Sequence, residues 1–479
     1  MPTTKNTPKN TSTKTNPKIN PLKKNELPNP LPLKKLIGPS FIILGLGLGS
    51  GEIILWPYLA AHHGLGIIWG AILGITFQFF MNMEIERYAL AHGESIFVGI
   101  ARKFKWAPIW FLLSTYIPWM WPGIIATSAK LLGTLLGIQN QKILTVVLLF
   151  TIGAILSLGP VLYKTVESIQ KLFITLGVPA IFTLAIIIAA KADFITLGQG
   201  IVGIGDGYRF LPAGIALPSF LAALAYAGAG GNLNLSQSFY VKAKGYGMGE
   251  YAGKIKSLLT GKKETIELTG TAFDPTEENI SKFKKWWKNV NTEHFLVFWL
   301  TGAITICLLA LLAYVTTYQK GIETTGVNFV LAEAQQIGLK IAPWAGVLFL
   351  TVTGIMLFAT QLTVFDSTSR ILSENLVLAN KKIKGNDISK IYYIVLWLQI
   401  LSGVAIYSFG INEPFQLITI AAVLNAFAMF IHVGLTLVTN LSLLHKEIRP
   451  KFGRIAAMTM AFLFYGGFSI YTIVDKLLN

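Results

Sequence analysis

The sequence predicts an all-α integral membrane protein of about eleven transmembrane helices: two inverted five-helix repeats, with helices one and six unwound, followed by a final helix. Three observations carry this. The 479 residues are 53% hydrophobic and only 13% charged, where a soluble domain carries about 25% charged residues. Apolar runs of about 18 residues or more recur along the chain. Two of these runs are broken by glycines at matching places in the two halves. The first break is Gly45-Leu-Gly47-Leu-Gly49-Ser50-Gly51-Glu52, and the second is Ala227-Gly228-Ala229-Gly230-Gly231-Asn232. A helix in lipid keeps its backbone hydrogen bonds internal, so unwound backbone at that depth is tolerated only against protein or a water-filled cavity.

Taken in order, residues 1–34 are rich in Lys, Asn, Thr and Pro, with Glu26 the only acid and no apolar stretch. They read as a disordered basic cytoplasmic tail, neither a signal peptide nor a helix. Spans follow at about 36–60, 65–91, 106–136, 143–160 and 167–190, and these make up the first repeat, 35–190. Segment 191–211, with Gly205-Asp206-Gly207, reads as an external loop. The second repeat, 212–441, holds spans at about 212–241, 293–317, 342–375, 389–409 and 413–440. Its connection 242–292 carries ten Lys and six acids and is expected on the cytoplasmic side; Trp286 and Trp287 suggest an amphipathic stretch there. Within 318–341, Asn328 to Gly338 suits a short external helix. Segment 442–479 supplies the eleventh helix, at about 453–474. Each five-helix unit opens with a broken helix, and because five is odd the second unit enters from the opposite side. This is the LeuT-type arrangement, in which a substrate site lies between the breaks and alternating access is the expected mode of action.

The net charge of +17 does not point to nucleic acid. With the N-terminus inside, about 30 of the 40 Lys and Arg fall in cytoplasmic segments, which is the positive-inside pattern. The expectation is a multi-pass plasma-membrane protein with its N-terminus cytoplasmic and its C-terminus external, a monomer whose partners are the bilayer and a small ion or solute. Cys307 is alone in an apolar span, so no intrachain disulfide forms. No phosphate loop, nucleophile triad or paired catalytic carboxylates occur, so neither an enzyme nor a cofactor is expected.

The site candidates follow from the breaks. Glu52 is an ionisable residue inside the membrane, and such residues are costly and functional by default. It either binds a cation or coupling proton, or caps the outer half-helix, whose N–H groups favour negative charge. Gly49, Ser50 and Gly51 beside it, with Ala227, Gly228, Ala229, Gly230 and Asn232 at the second break, are the candidate substrate-binding set. Gln361 and Asn425, polar on apolar spans, join them. Glu52 and Asn232 are the candidate metal ligands. Glu84, Glu86 and Arg87 on span two, with Asp366 and Arg370 on span eight, suit an ion-pair network or inner gate, and Asp366 and Arg370 lie one turn apart. Lys130 on span three either replaces a bound cation as a fixed charge, which makes it a candidate for coupling, or snorkels outward. His432 suits a satisfied core histidine.

Several stretches resemble the Nramp family of divalent-metal transporters. Gly38-Pro39-Ser40-Phe41 resembles the family's opening of helix one. Asn82, Arg87 and Gly93 fit its span-two spacing. Asn232-Leu-Asn-Leu235 is similar to the run that follows its Met-Pro-His motif. The resemblance implies the LeuT fold and cation transport, but the ligand positions differ. Gly49 stands where the family has its metal-binding Asp, Glu52 replaces its Asn, and Ala229 replaces its Met. The span-three acids that carry protons have no counterpart in Tyr116-Ile-Pro-Trp-Met-Trp-Pro122. A thioether selects soft metals, whereas carboxylate, carbonyl and water suit hard ions. The expectation is therefore a Mg-like ion rather than Mn or Fe. A carrier of amino acids or other small organic solutes is the alternative, its anionic group held by glycine amides. A transport-inactive sensor that kept the fold is the third.

Overall fold

The computed structural model describes residues 19–36, 38–158, 162–252, 268–322, 325–380, 382–383 and 387–478. Among these residues it is mainly helical, with two two-residue strand pairs: Lys23–Lys24 runs parallel to Thr271–Ala272, and Ile204–Gly205 is antiparallel to Tyr208–Arg209. Among the described residues, ten helical stretches are long and apolar enough to cross a membrane. In order they run Pro39–His63, Leu65–His92, Ala107–Leu136, Gln141–Leu158, Leu162–Ile188, Glu277–Thr317, Pro343–Ala379, Ile388–Ser408, Pro414–Leu443 and Phe452–Val474. They coincide with ten of the eleven expected spans. The sixth, expected at 212–241, is absent from this set because it is divided into Leu217–Ala225 and Gln237–Lys244.

Local chemistry sets the ends. Pro39 and Pro414 occupy first turns, where a missing N–H costs nothing. The Ser95 and Thr276 hydroxyls accept from Val98 N and Asn279 N, capping the next helices. Gly93 and Gly245 stop helices in the left-handed conformation, which favours glycine. The first span is the innermost: 94% of its most apolar window is buried, against 28% for Gln141–Leu158 on the periphery. It packs against the fifth, sixth, seventh and eighth spans. That central position brings its glycine break to other protein rather than to lipid.

Three expectations need correction or sharpening. Residues 19–34 are not a disordered tail. Leu27 is buried, Lys23–Lys24 pair with the 242–292 connection, Trp286 Nε1 donates to Pro28 O (2.8 Å), and Arg102 Nη1 donates to Asn20 O (2.8 Å). Composition suggested disorder because the stabilising partners lie far away in sequence; residues 1–18 fall outside the described residues. The segment 191–211 is more than a loop, holding a helix, Lys191–Ile201, and the short hairpin. The connection 242–292 ends in an amphipathic helix, Glu277–His294, that runs without interruption into span seven. Its residues 253–267 fall outside the described residues. The helix Asn328–Lys340 lies where a short helix was expected.

Candidate functional site

Span one is helical from Pro39 to Gly47, departs from helix at Leu48 and Gly49, and resumes with a wide turn, Ser50–Leu55, before Trp56–His63. Its interruption is thus shorter than the sequence suggests, with Gly51 and Glu52 already in the resumed helix. Span six is interrupted more fully, from Tyr226 to Gly230, with Gly231–Ser236 in a tight 3-10 turn. Gly230 and Gly231 hold φ of +75° and +55°, which L side chains adopt only with strain.

Neighbours satisfy the backbone freed by the breaks. Gln78 of span two donates to Ala225 O (3.0 Å) and accepts from Gly230 N (3.1 Å), bridging both sides of the second break. His432 Nε2 meets Gly231 O at 3.0 Å. Thr360 Oγ1 of span eight donates to Gly45 O (2.9 Å). The two breaks touch each other. A methyl group added at Gly47 would lie 2.9 Å from Gly228 Cα, and one at Gly51 would overlap the Tyr226 carbonyl. These glycines therefore serve close approach of backbone as well as unwinding.

Glu52 is completely buried, and neither of its oxygens has a hydrogen-bond partner among the described residues. It makes no cap: the turn Ser50–Leu55 has no side-chain capping bond. Its Oε1 faces glycine, lying 3.1 Å from where a Gly47 methyl would sit and 3.5 Å from one at Gly302 of span seven. The cost of burying an unpaired carboxylate is large unless it is neutralised or paired.

The remaining candidates divide. Asn232 Nδ2 donates to Ser114 Oγ (2.8 Å) and Thr115 Oγ1 (2.9 Å) of span three, leaving its Oδ1 unpartnered among the described residues. No hydrogen bond joins it to Glu52. Asn425 Nδ2 donates to Tyr226 OH (3.0 Å), and its Oδ1 faces Gly231. Ser50 and Gln361 are buried, and Gly49 abuts Thr360. Ala227 and Ala229 are buried in the second break. Among the described residues no group of three or more His, Cys, Asp and Glu gathers to hold a metal. Lys130 is half-buried and lines an open cavity with Gln139, Asn140, Asn412 and Glu413. It reaches this mouth, as a snorkelling lysine does.

Toward the tail side, Arg87 pairs with Glu84 on its own helix (Nε–Oε2 2.8 Å), while Glu86 accepts from Gln237 Nε2 of span six (3.0 Å). Asp366 accepts from Arg370 Nε (2.9 Å), Tyr240 OH (3.1 Å) and Tyr392 OH (2.9 Å), tying span eight to six and nine. These are two networks, one on span two and one on span eight.

Some residues escaped sequence reasoning. Ser40 Oγ, at the start of span one, bonds both Glu293 Oε2 and His294 Nδ1 (2.8 Å for the latter) in a buried cluster on span seven. Glu293 Oε1 and His294 Nε2 have no partner among the described residues. The pair was overlooked because it falls where an amphipathic helix becomes a span. Span three has its own interruption at Met120–Pro122, and Trp119 beside it stacks on Tyr226 of the second break (5.5 Å, 19°). Pro118 and Pro122 were the available signal.

No protein-family model matches the chain, and no curated protein matches its sequence. Solved structures do match the fold. A point mutant of a manganese transporter of Eremococcus coleocola superposes with TM-score 0.67 at 11% identity, over 95% of this chain and 90% of that one. The same transporter in complex with an aromatic bis-isothiourea substituted compound gives 0.68 at 10% identity, over 94% and 90%. Mhp1, a nucleobase-cation-symport-1 family transporter with bromovinylhydantoin bound, gives 0.57 at 12% identity, over 96% and 94%. At these identities the likeness is one of architecture, and the chain is an all-α multi-pass membrane protein of LeuT type.

Proposed function

We propose that the protein is a secondary transporter working by alternating access, and that Glu52 binds a cation at the contact between the two broken helices. The supporting observation is Glu52 itself: fully buried, with both oxygens unpartnered among the described residues and no capping role. A carboxylate so placed takes a proton or a cation. The leading substrate is a hard, hydrated divalent ion of the Mg kind. One carboxylate with backbone carbonyls of the breaks is an all-oxygen donor set, with no thioether to select Mn or Fe. In this reading the chain lies in the plasma membrane as a monomer, with the lysine-rich tail side cytoplasmic.

A second reading rests on the aromatic side of the break. Trp119 stacked on Tyr226, with Asn425 bonded to the Tyr226 hydroxyl, suits a small organic solute, and Glu52 would then carry the coupling proton. Glu52→Gln separates the two in reconstituted vesicles. Loss of divalent-cation uptake in the variant, with wild-type uptake present, supports the first reading. Uptake of an organic solute whose pH dependence flattens in the variant, with divalent ions inert in both proteins, replaces it by the second. Flux of no ion or solute from a broad panel, in the wild type as in the variant, sinks both and leaves the transport-inactive sensor.

A further inference from the structure

On the tail side, away from the breaks, a cavity of about 280 Å³ is lined by Arg87, Lys284, Arg449, Lys451 and Arg454, with Trp287 and Phe283 as its apolar wall. Four elements meet there: span two, the amphipathic helix leading into span seven, the link 446–451 and the start of the last helix. Trp287 organises it. The Arg87 guanidinium carbon lies 3.8 Å from the centre of its ring, and that of Arg454 lies 4.8 Å away. The charge is one-sided. Among the described residues, Glu84 alone faces both guanidinium groups, bonding Arg87 through two nitrogens (2.8 and 3.0 Å). Arg454 Nη1 stays 3.6 Å from it with no hydrogen-bond partner among those residues, and Arg454 Nη2 donates to Asn291 Oδ1, a neutral acceptor. The one carboxylate in the cavity lining, Glu447, is engaged by His445. Like charges held this close with so little compensation raise the energy of the empty cavity, and an anion relieves it.

We propose that this cavity is a binding site for a phosphate group. Guanidinium forks match phosphate oxygens bidentately, and lysines supply point charge. The cavity's position favours an anionic lipid headgroup as the source. Phe452, which is 85% exposed, directly follows Lys451 of the cavity lining. Met460, Leu463 and Ile470 are also exposed and share the Phe452 face of the last helix at helical spacing, giving acyl chains an apolar track. Basic pockets between transmembrane helices at the cytoplasmic interface commonly hold such headgroups. A phosphate there bridges spans two and seven, so its occupancy bears on how these two move against each other.

The test uses delipidated full-length protein in neutral detergent, read by thermal midpoint and by native mass spectrometry for retained lipid. The probes are phosphatidylglycerol, phosphatidylcholine and millimolar inorganic phosphate. Phosphatidylglycerol is expected to raise the midpoint and to be retained, with phosphatidylcholine silent. In Lys284→Gln/Lys451→Gln the apparent affinity should fall about thirtyfold, the scale for removing two cations near an anionic surface. A Lys34→Gln/Lys35→Gln protein, altered at exposed lysines elsewhere, should keep full affinity. A shift from inorganic phosphate alone, lost in the cavity variant, names free phosphate as the source and keeps the site. Should the double variant fold poorly, Arg449→Gln serves in its place. No shift from either phosphate probe, or a shift undiminished by the cavity variants, overturns the proposal.

Discussion

Replacing Gly51 by Ala adds one methyl at the place where the two breaks meet. That methyl would overlap the Tyr226 carbonyl oxygen and lie 2.5 Å from its carbonyl carbon and 2.8 Å from the Tyr226 Cβ. Carbon atoms in contact prefer about 3.5–4.0 Å, so the helices must part by about 1 Å. Neither side can yield by rotating a side chain, because Gly51 Cα and the Tyr226 carbonyl are both backbone. Overpacking of a tight interior costs about 1–3 kcal/mol, and a backbone obstacle puts this site at the upper end, ~3 kcal/mol. The same change at Gly198 is the control. That residue sits within the helix Lys191–Ile201 with nothing within 4 Å of an added methyl, so Gly198→Ala should stabilise by about 0.5–1 kcal/mol. Thermal unfolding of both proteins in the same detergent, with binding of the supported cation measured alongside, gives the comparison. A Gly51→Ala protein with the wild-type midpoint and wild-type binding would refute the close contact of the breaks.

Three further outcomes are expected. Gln78→Leu strands Ala225 O and Gly230 N, at about 1–3 kcal/mol for each buried group left unmade; denaturation and substrate binding should both register it. Asp366→Ala leaves Arg370 buried without its carboxylate, costing about 3–5 kcal/mol, whereas Asp366→Leu/Arg370→Met recovers only part of it, because the buried Tyr392 hydroxyl still loses its acceptor; a double-mutant cycle reading near zero coupling would contradict the pair. Glu333, on the short helix Asn328–Lys340 outside the spans, has its carboxyl held well above the ordinary 4.5 by burial. A raised folded value favours the folded state fully below the unfolded value, and that contribution is lost as pH rises through the folded one. Glu333→Gln should therefore raise the thermal midpoint near pH 7 and leave it unchanged near pH 4.

The candidate site was partly legible. Glu52 was found because a charge within an apolar run stands out, and the glycine runs marked both breaks because alternate glycines oppose helix. Its environment was not legible. Capping remained open until both Glu52 oxygens proved unpartnered among the described residues. Glu52 and Asn232 were paired as ligands on grounds of residue type, yet Asn232 turns its amide to span three while Glu52 faces spans one and seven. Gln78, which bonds both sides of the second break, carries no local sequence signal that sets it apart from other polar residues.

The sequence by itself determined the membrane class, the span order and the two matched interruptions. Hydropathy, glycine and proline act over the length of one helix, so one strand of text contains them. Tertiary structure alone decided which groups satisfy the freed backbone, how closely the breaks approach, and where the buried ion pairs fall. It also ordered residues 19–34, whose partners Gly270, Ala272, Trp286 and Asn289 lie more than two hundred positions away. Those outcomes depend on pairs of distant residues brought together by packing, and no local pattern encodes them.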